Sequence, residues 1–477
     1  MTDRKATVPD KRAGWFAEER DFAARGIETP TRPNIVFIFA DDLGWGDLSS
    51  YGSLHNDTPH IDRLGKEGVR FTHGYSASAT CSPTRIGFYT GRYPGRLPAG
   101  LEEPLTNRTE TNGIPHEHPT IASLLRDGGY RTAMFGKWHC GWLPWFSPLK
   151  AGFDEFFGNL DGALDYFSHI DTRGEPDLWE GEVPVEEVGY YTELVSRRAA
   201  EYIRESGPEP FYLQVNYTAP HWPWEGPQDE ATSTKITEAA KAGGVDALIA
   251  LFHFEGGSLE VYRNIVAALD EGVGVVLDAL DDAGLADNTI VVFSSDNGGE
   301  RYAFLWPFVG EKGDLEEGGI RVPNLVRWPA AIGGSQVSDL PVSTLDWTAT
   351  LLDAAGVRPD PGYPLDGASL VPWLVQGDPP PTRDLLWRTR QQGAVRRGRH
   401  KLIIDRKDKG VWHGLFAGDG PSYRLYDVTV DGREKANLAT RHPDLVAELT
   451  AVWERFEAEQ LPYPPPPRRG LADGSAD

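Results

Sequence analysis

The chain is poor in cysteine: 477 residues carry only two, Cys81 and Cys140. Two cysteines cannot build a disulfide framework, so each is expected to be core or chemically active. Long apolar runs are missing too, and no stretch is long enough to cross a bilayer. Basic charge is in short supply, with 47 Lys and Arg against 71 Asp and Glu and a formal net charge of −24. That balance speaks against nucleic acid or an anionic membrane as partner. It leaves room for a small anionic ligand in a locally basic pocket. The first residues, MTDRKATVPDKRAGWFAEERDFAARG, contain no apolar core of a secretory leader, so a cytoplasmic location is expected. No internal repeat is visible. Oligomeric state is not readable.

What is present is abundant aromatic, Gly and Pro content, suited to a loop-rich enzyme. Residues 1–32 read as an N-terminal arm. Residues 34–40 (NIVFIFA) form a continuous apolar run, the pattern of a strand buried on both faces. Similar runs lie at 132–135, 211–217 and 289–294. Helical spacing falls between them, at 119–129 with Pro119 in the first turn, at 191–205 and at 258–280. Strand–helix alternation predicts an α/β fold with a mostly parallel sheet over 33–376. The stretch QGDPPPTRD, 376–384, reads as a linker. Residues 377–462 then predict a smaller C-terminal α+β domain with strands at HKLIID and YRLYDVTV and a helix over 443–459. Residues 463–477 read as a Pro-rich tail.

Each predicted strand ends in a polar cluster. The first ends in Asp41-Asp42, and the second runs into Lys137-Trp138-His139. The third leads through TAP to His221, and the fourth ends in Asp296-Asn297. Ligands of parallel α/β sheets sit at the carboxyl ends of strands, so one shared sheet would bring all four clusters to one edge. Carboxylate and amide oxygens there favour a hard cation, Ca²⁺ or Mg²⁺. The lysine and the histidines would neutralise an anion and move protons. Taken singly, each cluster is an ordinary turn, cap or core feature. Nearby Trp45, Trp142, Trp145, Trp222 and Trp224 read as core packing first and as a ring-binding surface second.

Cys81 lies in SATCSPTRIGFYTGRYPGR, with Pro83 placed to open a helix. Cys81 is therefore expected just before a helix N-terminus, where a thiolate or a bound anion gains from the dipole. CSPTR followed by TGR resembles the signature of the formylglycine-dependent sulfatases, the arylsulfatase family. Further matches follow in order: PNIVFIFADDLGWGDLSSYG, GYRTAMFGKWHCG, APHWPW, FSSDNGGE, KGDLEEGGIRVP and LYDVTVDGREKANLA.

The resemblance implies an alkaline-phosphatase-like α/β/α sandwich with a smaller C-terminal antiparallel sheet. It implies that a formylglycine-generating enzyme oxidises Cys81 to an aldehyde whose hydrate attacks the sulfur of a small sulfated substrate. Asp41, Asp42, Asp296 and Asn297 would bind one divalent cation, usually Ca²⁺ and alternatively Mg²⁺, with residue 81 also touching it. Arg85 would steady the hydrate, and Lys137, His139, His221 and Lys312 would surround the sulfate. Lys137, His221 and Lys312 would bind substrate. Glu316 and Cys140 depart from the family pattern, and Cys140 reads as a small buried residue rather than a soft metal ligand. Rival expectations are a phosphonate or phosphodiester hydrolase of the same superfamily, a non-catalytic binder of sulfated ligands, and a cysteine hydrolase using Cys81 and His139.

Overall fold

The computed structural model describes residues 20–243, 249–254, 256–406 and 422–465. The first apolar run forms the strand Asn34–Ala40, buried from Ile35 onward. It is flanked by two parallel neighbours, Thr289–Ser295 and Phe211–Asn216. Alternate residues of this one strand therefore feed two cores. Ile35, Phe37 and Phe39 pack with Ile86 and Phe88 of the helix Cys81–Thr90 and with Leu351 of the helix Thr344–Ala354. Val36 and Ile38 pack on the other face with Val195 of the helix Tyr191–Arg204 and with Leu269 and Val273 of the helix Leu259–Asp282. This is the expected α/β/α sandwich, and its continuous apolar strands follow from burial on both faces.

The sheet has eleven strands. At its centre Thr289–Ser295, Asn34–Ala40, Phe211–Asn216, Arg131–Gly136 and Glu155–Gly158 run parallel. Asn324–Arg327 pairs antiparallel to Thr289–Ser295, which makes the sheet mixed. The arm is more ordered than expected where it is described: Arg20–Asp21 adds a parallel edge strand beside Gln336–Ser338. Two polar residues leave no apolar run to signal such a strand. The helix expected to open on Pro119 spans Ile121–Asp127 instead. Thr120 caps it, its hydroxyl accepting from Ser123 N, so the proline stands outside the first turn.

Beyond Gln376 the stretch 377–383 carries no helix or strand. Four antiparallel strands follow, Asp384–Arg388, Gln392–Arg397, His400–Asp405 and Ser422–Asp427. The last stops at Asp427, earlier than the expected strand 423–430. The helix Pro443–Ala458 covers one face of this sheet through Leu449, Trp453 and Phe456. The other face packs Trp387, Ala394 and Ile403 on Tyr75, Leu315 and Ile320 of the large sandwich. Of the tail, only 463–465 is described. No described helix is long and apolar enough to cross a membrane.

Candidate active site

The four central strands are parallel, so their polar ends converge on one sheet edge as the sequence predicts. Backbone bonds tie the ends together. Asp41 N donates to Ala219 O, Asp296 N to Ala40 O and Lys137 N to Asn216 O. Asp41, Asp42, Lys137, His139, His221, Asp296 and Asn297 are all buried. The side chain of Lys312 is 14 % exposed and stands at the margin.

Carboxylates and cations alternate. Lys137 Nζ lies 2.5 Å from Asp41 Oδ2, and Lys312 Nζ 2.7 Å from Asp42 Oδ2. Arg85, on the second turn of the Cys81–Thr90 helix, bonds Asp296 Oδ2 through Nε at 2.9 Å and the Lys137 carbonyl through Nη1. Asn297 Nδ2 donates to Asp42 Oδ1 at 2.6 Å. His221 Nε2 sits 3.5 Å from Asp42 Oδ2, while its Nδ1 bonds the Trp222 carbonyl. Burial alone would raise the Asp42 carboxyl, but Lys312, His221 and Lys137 hold it well below the carboxylate range. Asp296 goes the other way, pushed up to about 7 by burial and by Asp41 despite Arg85.

Two buried oxygens, Asp41 Oδ1 and Asn297 Oδ1, have no hydrogen-bond partner among the described residues. One ligand atom each from Asp41, Cys81 and Asp296 lies within 4.8 Å of the others, and so do those of Asp41, Asp42 and His221. An oxygen-rich set with unpartnered acceptors fits a hard divalent cation. Asp41, Asp42, Asp296 and Asn297 are the residues that would hold it.

Cys81 is the first residue of its helix, one position further in than expected, with Thr80 as N-cap. Burial raises its thiol pKa in spite of Lys137 and Lys312, so the expected stabilised thiolate is not found. A cysteine-hydrolase role would leave the buried cluster of Asp41, Asp42, Asp296 and Asn297 without a part in the chemistry. Cys81 Sγ stands in for whatever atom replaces it on that Cβ, and it faces His139 Nδ1 at 3.4 Å. His139 Nε2 bonds the Leu105 carbonyl at 2.8 Å. Burial first, and Lys137 second, hold His139 well below the usual histidine pKa, so the ring is neutral. Because a carbonyl only accepts, Nε2 carries the hydrogen and Nδ1 presents a lone pair to residue 81.

Sequence reasoning missed Leu105, because a backbone carbonyl carries no residue-type signal. It also missed Asn216, whose Nδ2 bonds the Lys137 carbonyl and Tyr89 Oη. Cys140 is buried in the core, as expected of a small apolar residue. Glu316 serves a remote contact, an ion pair with Arg424 of the C-terminal sheet. Trp142 and Trp224 are core residues, whereas Trp145 is exposed.

An α/β/α frame with a buried cation-ready cluster and three basic side chains around one helix N-terminus defines a hydrolase of tetrahedral oxyanion esters, of the alkaline-phosphatase type. The Sulfatase family model matches residues 33–357, and the chain belongs to that family. It is a sulfuric ester hydrolase. It is 29% identical over 501 residues to arylsulfatase J of Mus musculus, covering 92% of this chain and 78% of that protein. It is 33% identical over 374 residues to N-acetylgalactosamine-6-sulfatase of Homo sapiens, covering 73% of this chain and 67% of that protein. The crystal structure of Ps i-CgsB in complex with k-i-k-neocarrahexaose superposes with a TM-score of 0.78 at 28% identity. That match covers 91% of this chain and 94% of the other.

Proposed function

We propose that this sulfatase acts through an aldehyde hydrate made from Cys81 by a formylglycine-generating enzyme, with Ca²⁺ held by Asp41, Asp42, Asp296 and Asn297. The observation that carries this reading is the contact of Cys81 with the lone-pair side of His139, beside unpartnered carboxylate and amide oxygens. A bound cation supplies positive charge for the sulfuryl oxygens and lowers the pKa of a hydroxyl beside it. Lys137 and Lys312 add charge on the same oxygens, where it is needed as the S–O bond breaks.

Arg85 holds residue 81 and Asp296 in fixed relation. His139 Nδ1 accepts the proton of a residue-81 hydroxyl. Lys312, kept protonated by Asp42 against the penalty of burial, is the acid on the open side of the site for the leaving alcohol. His221 is assigned to substrate positioning rather than to proton delivery, since burial and Lys312 lower its pKa to about 3.

Peptide mass spectrometry on residue 81, paired with assays of Cys81→Ala and Cys81→Ser, tests the scheme. Expected is an aldehyde mass in the active enzyme and a loss of roughly a thousandfold or more in both variants. Retained sulfatase activity in Cys81→Ala overturns it. A phosphonate monoester run in parallel with a sulfate ester tells the two substrate chemistries apart, and higher kcat/KM on the sulfate ester is expected.

A further inference from the structure

Leu105 lies fully buried in the loop above the site, and both of its backbone polar groups are engaged there. Its N–H donates to Ser82 Oγ at 2.6 Å, and its carbonyl accepts from His139 Nε2 at 2.8 Å. Ser82 directly follows Cys81. The residue that carries the chemistry and the residue that holds its base are thus neighbours in one helical turn, joined through a third residue 23 positions away.

The loop is fastened on both sides of Leu105. Glu102 accepts from Thr106 N, Asn107 N and the Asn112 amide. Arg108 bonds Asp161 at 2.9 Å and also pairs with Asp171. The imidazole has little room to turn. A Cβ on Gly162 would stand 2.5 Å from His139 Cε1, so that glycine lets the backbone press against the ring.

We infer that Ser82 is a positioning residue which, with the Arg108 clasp, places the Leu105 carbonyl to hold His139 in the tautomer that bares Nδ1 to residue 81. The inference rests on the reading of His139 as the base at residue 81. In the step it serves, an O–H bond on residue 81 breaks, the electron pair stays on that oxygen, and the proton forms an N–H bond at Nδ1. The imidazolium so formed still donates Nε2–H to Leu105, so the same carbonyl stabilises the product of the transfer. With the carbonyl displaced, the ring is free to carry its hydrogen on Nδ1, where it opposes the transfer.

The test uses full-length enzyme with ¹⁵N-labelled histidine. His139 resonances are assigned by their loss in His139→Gln. Wild type is expected to show protonated Nε2 and bare Nδ1, and Ser82→Ala to shift toward a mixture of tautomers. Activity is normalised to the aldehyde content of residue 81. Ser82→Ala is then expected to lose roughly tenfold in kcat with KM little changed, with recovery in Ser82→Thr, which keeps the hydroxyl acceptor.

Arg108→Ala lies outside the maturation motif and is expected to shift the tautomer and lower kcat in the same direction. It also keeps the test alive if Ser82→Ala misfolds. An unchanged His139 tautomer in both variants, or a kcat loss that follows aldehyde content alone, overturns the inference. Full kcat in His139→Gln removes the base reading instead, while the tautomer result still reports on Leu105.

Discussion

Asp41 Oδ1 and Asn297 Oδ1 are acceptors shut away from water with no donor among the described residues. Leaving a buried acceptor unpaired costs about 1–3 kcal/mol, so two together in one centre call for a ligand. Their neighbours decide its sign. Asp42 is held ionised by Lys312 and Lys137 against burial, and a cation is what such oxygens coordinate. Calcium or magnesium in excess is therefore expected to raise the melting temperature. The stabilisation reaches about 2.7 kcal/mol at a hundred times Kd, and a chelator reverses it. In Asn297→Ala the shift is expected to shrink sharply, because one ligand oxygen is gone. An equal shift in the variant would remove Asn297 from the cation site. Asp41, Asp42, Asp296 and Asn297 were legible in the sequence because their side chains name their chemistry and each ends a strand-like run. Leu105 was illegible, since its contribution is a carbonyl that any residue possesses. The burial that raises the Cys81 thiol was not legible, because Pro83 marks a helix start and nothing in the sequence marks depth.

The elements hold the site by borrowing groups from one another. The helix Pro59–Glu67 makes no capping bond from Thr58, the residue at its own N-cap. Asp270, midway along the helix Leu259–Asp282, reaches across instead and accepts from His60 N at 3.2 Å and Ile61 N at 2.8 Å. Those are donors of a first helical turn, and a carboxylate there also meets the positive end of the helix dipole. Asp270→Ala is expected to lower stability by about 0.5–2 kcal/mol, the range of a lost cap, in urea unfolding. Asp270→Asn should retain part of it, because an amide oxygen still accepts. Loss below a few tenths of a kcal/mol in Asp270→Ala would show that water replaces the carboxylate. Such a cap escapes sequence reading because its two partners lie 210 residues apart. The central strands were readable for the opposite reason. Burial on both faces writes an unbroken apolar run, as in Asn34–Ala40, whereas the two-residue edge strand Arg20–Asp21 writes nothing.

At the scale of the whole molecule, the C-terminal sheet is joined to the catalytic sandwich by buried charge as well as by apolar packing. Lys401, on the strand His400–Asp405, lies 3.0 Å from Glu317 Oε1 and 3.0 Å from Glu434 Oε1, and all three are buried. Glu317 also takes Tyr75 Oη at 2.7 Å and Arg321 Nη1 at 3.0 Å. Burial works against the Glu317 charge, and Lys401, Arg321 and Arg396 overcome it and hold the carboxyl well below its ordinary range. Glu317 opens the short helix Glu317–Ile320 five residues after Lys312, so the seam between sheets bears on the margin of the site. Removing one partner of a buried pair leaves the other charge uncompensated, which costs about 3–5 kcal/mol. Lys401→Met is expected to destabilise the protein by that amount in urea unfolding. It should also lower sulfatase activity at temperatures where the variant is still folded, because the Lys312 loop loses its anchor. Lys401→Met combined with Glu434→Gln is expected to recover part of the stability, since Glu434, whose cation partner is Lys401, is the carboxylate left orphaned. If the double variant is as unstable as the sum of the two single ones, the three groups do not act as one network, and apolar packing alone holds the sheets together.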